Sequence, residues 1–232
     1  VIMGLFLVFY FQFIDAPSPD LPILVICAIL FYEFIFNTLD AKKSKTLFLF
    51  LVFICFLKIT VAPLVLLLYF ILKKEKNNII FYTSVSLLFV SIWILKNIII
   101  TGLPLFPSSY FDLNLDWKID SNLFEMVKQG TIDAGYSENL VYTKNLNLIQ
   151  KLNLWIRLGG LNAFFNSGMI LLFLFIVFTP IFRVTKFKIL YFILTIHFLF
   201  LLCTSPQYRF FLHIFILFFS VLVFEISKKI MV

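Results

Sequence analysis

Lys58 lies inside the apolar stretch 46–72, where a charged side chain is rare. A charge at hydrocarbon depth costs roughly 3 kcal/mol even on the most permissive insertion scale, so such residues usually face a cavity and have a function. A lysine in a water-poor cavity, here close to the hydroxyl of Thr60, can bind a phosphate group. The alternative is a lysine whose alkyl chain extends to the membrane interface.

The loop 15–20 carries two carboxylates, Asp15 and Asp20, between two apolar runs. A carboxylate held just above a membrane can act as a general base when its position and pKa suit the reaction. A solvated turn, with Asp20 near the start of the following helix, is the alternative interpretation. We take Asp15 and Asp20 as the candidate catalytic residues.

Two later segments add candidate substrate-binding residues. Asn97 precedes TGLPLFP, whose glycine and two prolines predict an irregular chain just outside the membrane. Arg209 opens the last apolar run beside Tyr208, and a guanidinium suits bidentate contact with a phosphate. A plain exit loop at Asn97 and an interfacial anchor at Arg209 are the alternatives. The candidate substrate-binding residues are Lys58, Thr60, Asn97, Tyr208 and Arg209.

The sequence predicts neither a metal site nor a cofactor. His197 and His213 lie on separate apolar runs, and the cysteines are dispersed without a CxxC spacing, as expected of buried small apolar residues. The motifs HExxH, GxSxG, GxGxxG and the Walker phosphate loop are absent from the sequence. A soluble-type hydrolase and a nucleotide-driven motor are therefore not supported.

The composition predicts an all-α integral membrane protein. Apolar residues make up 62% of the chain and charged residues only 13%, more apolar surface than a soluble domain of this size needs. Several apolar runs approach the roughly 20 residues that span a bilayer, and they lack the alternation of a membrane β-barrel. The runs are 1–14, 21–36, 46–57, 61–72, 79–95, 161–178, 189–203 and 210–226. This pattern predicts a polytopic helical bundle.

The basic links between the runs predict the topology. The net charge of +7 comes largely from AKKSK, KKEK, RVTKFK and SKK, which we interpret as cytoplasmic loops rather than as a nucleic-acid surface. All four links share one side only if 46–57 enters the membrane and 61–72 returns. We therefore predict a helical hairpin around Lys58, with one long tilted helix over 46–72 as the alternative.

One long polar segment divides the chain into three parts. These are N-terminal transmembrane helices over 1–106, an extracytoplasmic segment over 107–160 and C-terminal transmembrane helices over 161–232. Within the segment, Asn122 and Glu125 predict the capped start of a helix that ends at Gly130. An amphipathic helix before Gly159 is predicted to lie on the membrane or on the ends of the spans. Because run 1–14 starts at once, we expect sequence upstream of Val1.

Five short motifs carry a resemblance. They are PSPDLP at 17–22, LKITVAP at 57–63, LKNIIITGLPLFP at 95–107, LDWKID at 115–120 and PQYRF at 206–210. Together they resemble a bacterial family of multi-pass membrane proteins whose layout is similar to that of GT-C glycosyltransferases. Such enzymes transfer sugars from lipid-phosphate donors. The motif positions that carry over are Lys58, Asn97 and Arg209.

The resemblance implies a glycosyltransferase of the bacterial inner membrane that builds envelope polysaccharide. Its partners would be a polyprenyl-phosphate sugar, membrane lipid and a glycan acceptor, with no nucleic acid. GT-C enzymes usually carry the catalytic acidic residue in the first outer loop; if that loop precedes Val1, Asp15 and Asp20 are secondary. A non-enzymatic glycan-lipid transporter or flippase and an inactive assembly subunit are the alternatives, since broken helices also occur in transporters.

Overall fold

The computed structural model describes residues 18–73, 78–137 and 143–230, and every regular element in these ranges is helical. The prediction of an all-helical protein is thus confirmed for the described chain. The α-helices are α1 (Asp20–Phe36), α2 (Ala41–Leu57), α3 (Leu66–Leu72), α4 (Ile79–Thr101), α5 (Ser121–Tyr136), α6 (Leu148–Ile156), α7 (Gly160–Ile176), α8 (Thr185–Cys203) and α9 (Tyr208–Ile230). Two 3₁₀ helices, Ile59–Val65 and Pro180–Arg183, join α2 to α3 and α7 to α8.

Helix α2 begins earlier than its apolar run. The Asp40 carboxylate caps the helix by accepting a hydrogen bond from the Lys43 backbone at 2.7 Å, so the basic residues of the link form the first turn. The helix therefore has 17 residues rather than the predicted 12. At 1.5 Å per residue it is about 25 Å long, close to the thickness of a bilayer core.

The chain reverses direction at Lys58. Helix α2 ends at Leu57, Lys58 is extended with φ −153° and ψ 115°, and the 3₁₀ helix that follows contains Pro63. Helix α3 then packs against α2. Because proline cannot donate a backbone hydrogen bond, Pro63 fits this irregular stretch better than a continuous helix.

The contacts of α4 show the same reversal independently. Lys45, in the first part of α2, lies 5.3 Å from the Phe81 ring centroid near the start of α4. Phe56, near the end of α2, lies 5.9 Å from Phe89. Helices α2 and α4 therefore run parallel, and residues 59–72 must carry the chain back between them.

The helices define two ends of the bundle. At the end called here the Asn37 end, α1 finishes and α2 and α8 begin; the Lys186 ammonium donates to the Asn37 carbonyl at 2.6 Å there. At the opposite end, called the Asp20 end, α1 and α9 begin and α2 and α8 finish. Basic links gather at the Asn37 end, where Lys43 also pairs with Glu33 at 3.4 Å.

Helix α9 forms the centre of the bundle. It packs against α1, α7 and α8, and its residues Phe211, Ile214 and Phe218 are fully buried. Gly168 of α7 lets the Phe215 ring approach so closely that an added Cβ would lie 2.9 Å from it. Helix α4 differs, because most of its apolar side chains are exposed, with Ile80 79% exposed.

Three described helices are long and apolar enough to cross a membrane: α4, α8 and the part of α9 over Tyr208–Lys228. Helices α6 and α7 together would make a fourth, but they meet at 114°. An exposed apolar helix such as α4 is stable where its surroundings are also apolar. The structure therefore indicates a membrane protein.

The segment between α4 and α7 folds as two short helices. Helix α5 is capped by Asp120, which accepts hydrogen bonds from the backbones of Asn122 and Leu123, and it continues beyond Gly130 to Tyr136. The predicted cap at Asn122 and the predicted end at Gly130 were therefore wrong. Helix α6 is amphipathic as predicted; its Trp155 is buried in the bundle and its Ile149 is exposed.

Candidate functional site

A small polar cavity lies at the Asp20 end. It is lined by the polar side chains of Asp20, Lys58, Thr60, Arg209 and His213, together with apolar neighbours such as Leu24 and Phe210. Three separate elements supply these residues: the start of α1, the reversal after α2 and the first turns of α9. Four residues predicted from distant parts of the sequence thus meet in one place.

Lys58 points into this cavity and forms an ion pair with Asp20. Its ammonium donates to one carboxylate oxygen of Asp20, and the Ser18 hydroxyl donates to the other at 2.9 Å. The ammonium also lies 3.8 Å from the centroid of the Phe210 ring, a cation–π contact. The side chains of Lys58 and Asp20 are only 16% and 8% exposed, so the Lys58 ammonium is turned into the protein rather than toward the surface.

Arg209 lies at the mouth of the cavity. Its Nε donates to the Gln207 side chain at 2.8 Å, and its guanidinium carbon lies 5.1 Å from the Phe210 centroid. Two cations and one carboxylate give the polar lining a net charge of +1 when His213 is neutral. The N-termini of α1 and α9 also open toward this end, and helix N-termini carry partial positive charge. The site is therefore electrostatically suited to an anion.

The cavity is nearly closed in this conformation. Its volume of about 10 Å³ is room for roughly one water molecule. An anion the size of a phosphate therefore has to move lining side chains apart. We expect the Lys58–Asp20 contact to open, because a phosphate oxygen can replace the carboxylate as the partner of the lysine.

An apolar groove runs from the cavity toward the Asn37 end, between α1 and α9. It has a volume of about 500 Å³ and shares Leu24 and His213 with the polar cavity. Its walls include Ala28, Phe31, Ile35, Leu217, Val221 and Phe224. Between Leu24 and Phe36 it follows α1 for about 18 Å, so it is long enough to hold an extended hydrocarbon chain.

A group of buried polar atoms lies between cavity and groove. The imidazole Nε2 of His197 lies 2.9 Å from the Thr60 carbonyl, and the rings of His197 and His213 are 5.1 Å apart. Thr60 Oγ1, His197 Nδ1 and His213 Nε2 have no hydrogen-bond partner although they are buried. Such atoms usually mark a position for water or a ligand.

Sequence reasoning missed His213, although a signal existed. Arg209 and His213 are four residues apart on α9, so they lie on the same helix face one turn apart. Extending the helix face of Arg209 by one turn toward the middle of the apolar run reaches His213. That histidine was therefore a possible binding residue. The sequence alone did not show that this face meets Lys58.

The remaining predicted residues lie elsewhere or outside the described chain. The Asn97 amide donates to the Pro104 carbonyl at 3.3 Å, which braces the loop after α4. Tyr208 stacks on Phe165 of α7 with ring centroids 4.9 Å apart. Neither residue lines the cavity, so their predicted substrate contacts are not supported by this geometry. Asp15 lies outside the described residues.

The segment after α4 packs on the turn between α8 and α9. The Ser205 hydroxyl donates to the Thr131 carbonyl at 2.7 Å, and the Trp155 indole donates to the Pro206 carbonyl at 2.9 Å. The Tyr136 hydroxyl donates to the Leu202 carbonyl, and burial raises the pKa of Tyr136 to about 12. These contacts fix the turn that leads into Arg209.

The loop 108–118 presents aromatic side chains on the protein surface. Tyr110, Phe111 and Trp117 are all exposed, and Phe111 has φ 61°, a conformation that is strained for an aromatic residue. The loop is closed by Asp112, which accepts from the Lys118 ammonium at 2.5 Å. The hydrogen bond from Lys118 lowers the pKa of Asp112 below its ordinary value. Strain held in this way is typical of a functional surface.

Among residues 18–73, 78–137 and 143–230, no group of three or more His, Cys, Asp or Glu side chains is placed to hold a metal ion. The cavity lining supplies an ion pair, a guanidinium, a hydroxyl and an imidazole. These groups can bind an anion and accept or donate a proton.

The sequence profile of a domain of unknown function, DUF8201, matches residues 1–216. The chain belongs to the DUF8201 family. The match covers α1 to α8 and the start of α9, so the DUF8201 region includes Asp20, Lys58, Arg209 and His213. No curated protein and no solved structure matches the chain.

Proposed function

We propose that this DUF8201 protein is a multi-pass GT-C-like glycosyltransferase of the bacterial inner membrane. In this proposal it moves a sugar from a polyprenyl-phosphate donor to an acceptor in an envelope glycan. The observation that carries the proposal is the cationic cavity at the Asp20 end, which continues into a long apolar groove between α1 and α9. An anionic head on a long hydrocarbon chain matches both parts.

The charge distribution supports an orientation with the Asn37 end in the cytoplasm. The basic links before α2 and α8 lie at that end, as the positive-inside rule requires of cytoplasmic loops. The cavity, the loop 108–118 and the helices α5 and α6 then lie outside. A lipid-phosphate donor in the outer leaflet would reach the cavity laterally, with its chain in the groove.

The cavity offers two cations for one phosphate. Lys58 and Arg209 lie on the same Phe210 ring, so a phosphate that enters beside this ring contacts both. Preorganised cations stabilise the charge that develops on a leaving phosphate. Once a phosphate oxygen has replaced Asp20 as the partner of Lys58, the Asp20 carboxylate is free to act as a base.

The proposed reaction is a single displacement at the anomeric carbon of the sugar. The acceptor hydroxyl oxygen forms a bond to this carbon, and the bond from the carbon to the donor phosphate oxygen breaks. The hydroxyl proton passes to Asp20, and polyprenyl phosphate leaves with the electron pair, bound by Lys58 and Arg209. The exposed aromatic residues of the loop 108–118 would contact the acceptor.

A transporter of a glycan lipid is the second candidate. The chain break at Lys58 and the 3₁₀ helix Ile59–Val65 favour it, because transporters often bind anions at broken helices. The cavity would then be one position on a path across the membrane. Asp20 would neutralise Lys58 rather than accept a proton.

Transfer by the purified protein distinguishes the two candidates. The protein in nanodiscs would be given a panel of polyprenyl-phosphate hexoses and extracted envelope glycan, and release of polyprenyl phosphate would be followed by mass spectrometry. We expect protein-dependent release, lowered about tenfold or more by Arg209→Gln because a charge-assisted contact is lost. Arg157→Gln, an exposed arginine outside the cavity lining, is the matched control and should release normally.

One result would contradict the phosphate site, and another would contradict the transferase. Full release by Arg209→Gln would show that the cavity does not hold the donor phosphate. Movement of a fluorescent glycan lipid across the bilayer without any release would favour the transporter.

A further inference from the structure

His213 occupies the position where the polar cavity passes into the apolar groove. It is the one ionisable side chain among the described residues that lines both. The residue is only 5% exposed, and its Nε2 has no hydrogen-bond partner. A buried donor without a partner carries a desolvation cost that a ligand at this position would remove.

We propose that His213 Nε2 donates a hydrogen bond to the phosphate of a bound prenyl phosphate and so sets how deeply the head group enters the bundle. This inference rests on the proposed function, because it assumes an anionic lipid in the cavity and groove. It adds a third phosphate contact, after Lys58 and Arg209. His213 would then lie where the bound phosphate ends and the hydrocarbon chain begins.

Of the two neighbouring histidines, His213 is the one whose Nε2 has no partner. A carbonyl oxygen can only accept, so His197 must carry its proton on Nε2, where it contacts Thr60. The Nε2 of His197, which lies on α8, is therefore already bound to the Thr60 carbonyl. His213, whose ring lies 5.1 Å from that of His197, keeps Nε2 free for a ligand. A phosphate oxygen also only accepts, so the proton of His213 would be on Nε2 in the complex.

The geometry of α9 places the contacts in order. Arg209 lies at the exposed mouth, and His213 lies one turn deeper, about 6 Å along the helix axis. Lys58 faces both from the reversal after α2, and Phe31 of α1 lies 6.2 Å from the His213 ring on the groove side. A phosphate between Lys58 and His213 would therefore direct its ester oxygen, and the chain beyond it, into the groove.

Histidine ¹⁵N spectroscopy tests the contact directly. The chain has two histidines, so His197 serves as an internal reference. The protein in nanodiscs would be titrated with farnesyl phosphate, with farnesol and with inorganic phosphate. We expect farnesyl phosphate to shift the His213 Nε2 signal more than either His197 signal, and the other two probes to have little effect. An equal shift from inorganic phosphate would overturn the role of the lipid chain.

Affinity measurements with two variants give a second readout. His213→Leu removes the donor, and we expect farnesyl phosphate to bind about tenfold more weakly. His213→Gln places an amide N–H near the lost Nε2 and should recover most of that affinity. A far-UV circular dichroism spectrum equal to that of wild type in both variants shows that the helical bundle is intact. Equal affinities for wild type and His213→Leu would overturn the proposal.

The outcomes separate this inference from the proposed function. If wild type binds farnesyl phosphate and Arg209→Gln weakens binding while His213 stays unshifted, the inference fails and the phosphate site stands. If wild type binds no prenyl phosphate at all, the proposed function fails and His213 loses its role with it.

Discussion

Removal of either member of the Asp20–Lys58 pair should destabilise the protein strongly, and removal of both should not. The side chains are 8% and 16% exposed, so each single variant leaves a charge in a poorly hydrated place. Breaking a buried ion pair in this way costs about 3–5 kcal/mol. Because about 1.4 kcal/mol corresponds to a factor of ten, the unfolding equilibrium should change by at least two orders of magnitude.

The two single variants should differ in a predictable direction. Lys58→Met leaves Asp20 with two stabilising partners, the Ser18 hydroxyl and the N-terminus of α1. Its loss of unfolding free energy should therefore lie near the lower limit of about 3 kcal/mol. Asp20→Asn leaves Lys58 in a cavity with Arg209, a like charge, and with only neutral partners, the new amide oxygen and the Phe210 ring. Its cost should lie nearer the upper limit.

A double-mutant cycle measures the interaction. Equilibrium unfolding in mixed micelles, followed by tryptophan fluorescence, would give four free energies: wild type, both single variants and Asp20→Asn with Lys58→Met. The double variant carries neither charge, so we expect it to lie within about 2 kcal/mol of wild type and the coupling energy to be about 3 kcal/mol or more.

The pair of Glu33 and Lys43 is the matched control. It also joins a carboxylate to a lysine, at 3.4 Å, but its side chains are 26% and 43% exposed, so its coupling should be under about 1 kcal/mol. A coupling energy for Asp20 and Lys58 no larger than that of the control would refute the buried pair and the closed cavity.

Three further predictions concern the outer segment and the topology. Gly135→Ala should cost about 1–3 kcal/mol of unfolding free energy, because its Cβ would lie 2.8 Å from Pro206; an unchanged free energy would contradict this close packing. The depressed pKa of Asp112 means that its ionised form stabilises the loop 108–118 above the ordinary value of 3.8, and this contribution is lost as the pH falls through the lower folded value. Pepsin should therefore cut the loop faster in Asp112→Asn than in wild type near pH 4, and the difference should shrink as the pH falls further; a constant ratio would refute the pairing. In a Cys203→Ser background, a cysteine at Ser109 should label from outside intact cells and one at Lys42 should not, and the reverse pattern would overturn the orientation.

The reversal at Lys58 was predictable from the sequence because it depends on charge. Four basic links fall on one side only if the chain turns back within 46–72, and Lys58, five residues before Pro63, indicates where it turns. The helix boundaries were less predictable. Asp40 caps α2 inside a basic link, and α5 continues through Gly130 because its last turn packs on residues 205–206. Such packing lies outside local sequence patterns.

The cavity was predictable in part and the groove was not. Lys58, Asp20 and Arg209 are charged residues at the ends of apolar runs, so their chemistry is visible in the sequence. Asn97 and Tyr208 have the same polar character, but their side chains face the loop after α4 and the Phe165 ring. The groove depends on how α1 and α9 pack along their length, which apolar composition alone does not determine.

The most direct test of the account is the binding of undecaprenyl phosphate to the protein in nanodiscs, measured by native mass spectrometry. The account predicts that Arg209→Gln, at the cavity mouth, and Ala28→Phe, which fills the groove, each weaken binding about tenfold or more, while Arg157→Gln does not. Undecaprenol, which lacks the phosphate, should bind weakly. Equal binding of phosphate and alcohol, or normal binding by both cavity and groove variants, would contradict the central claim that this site holds a lipid phosphate.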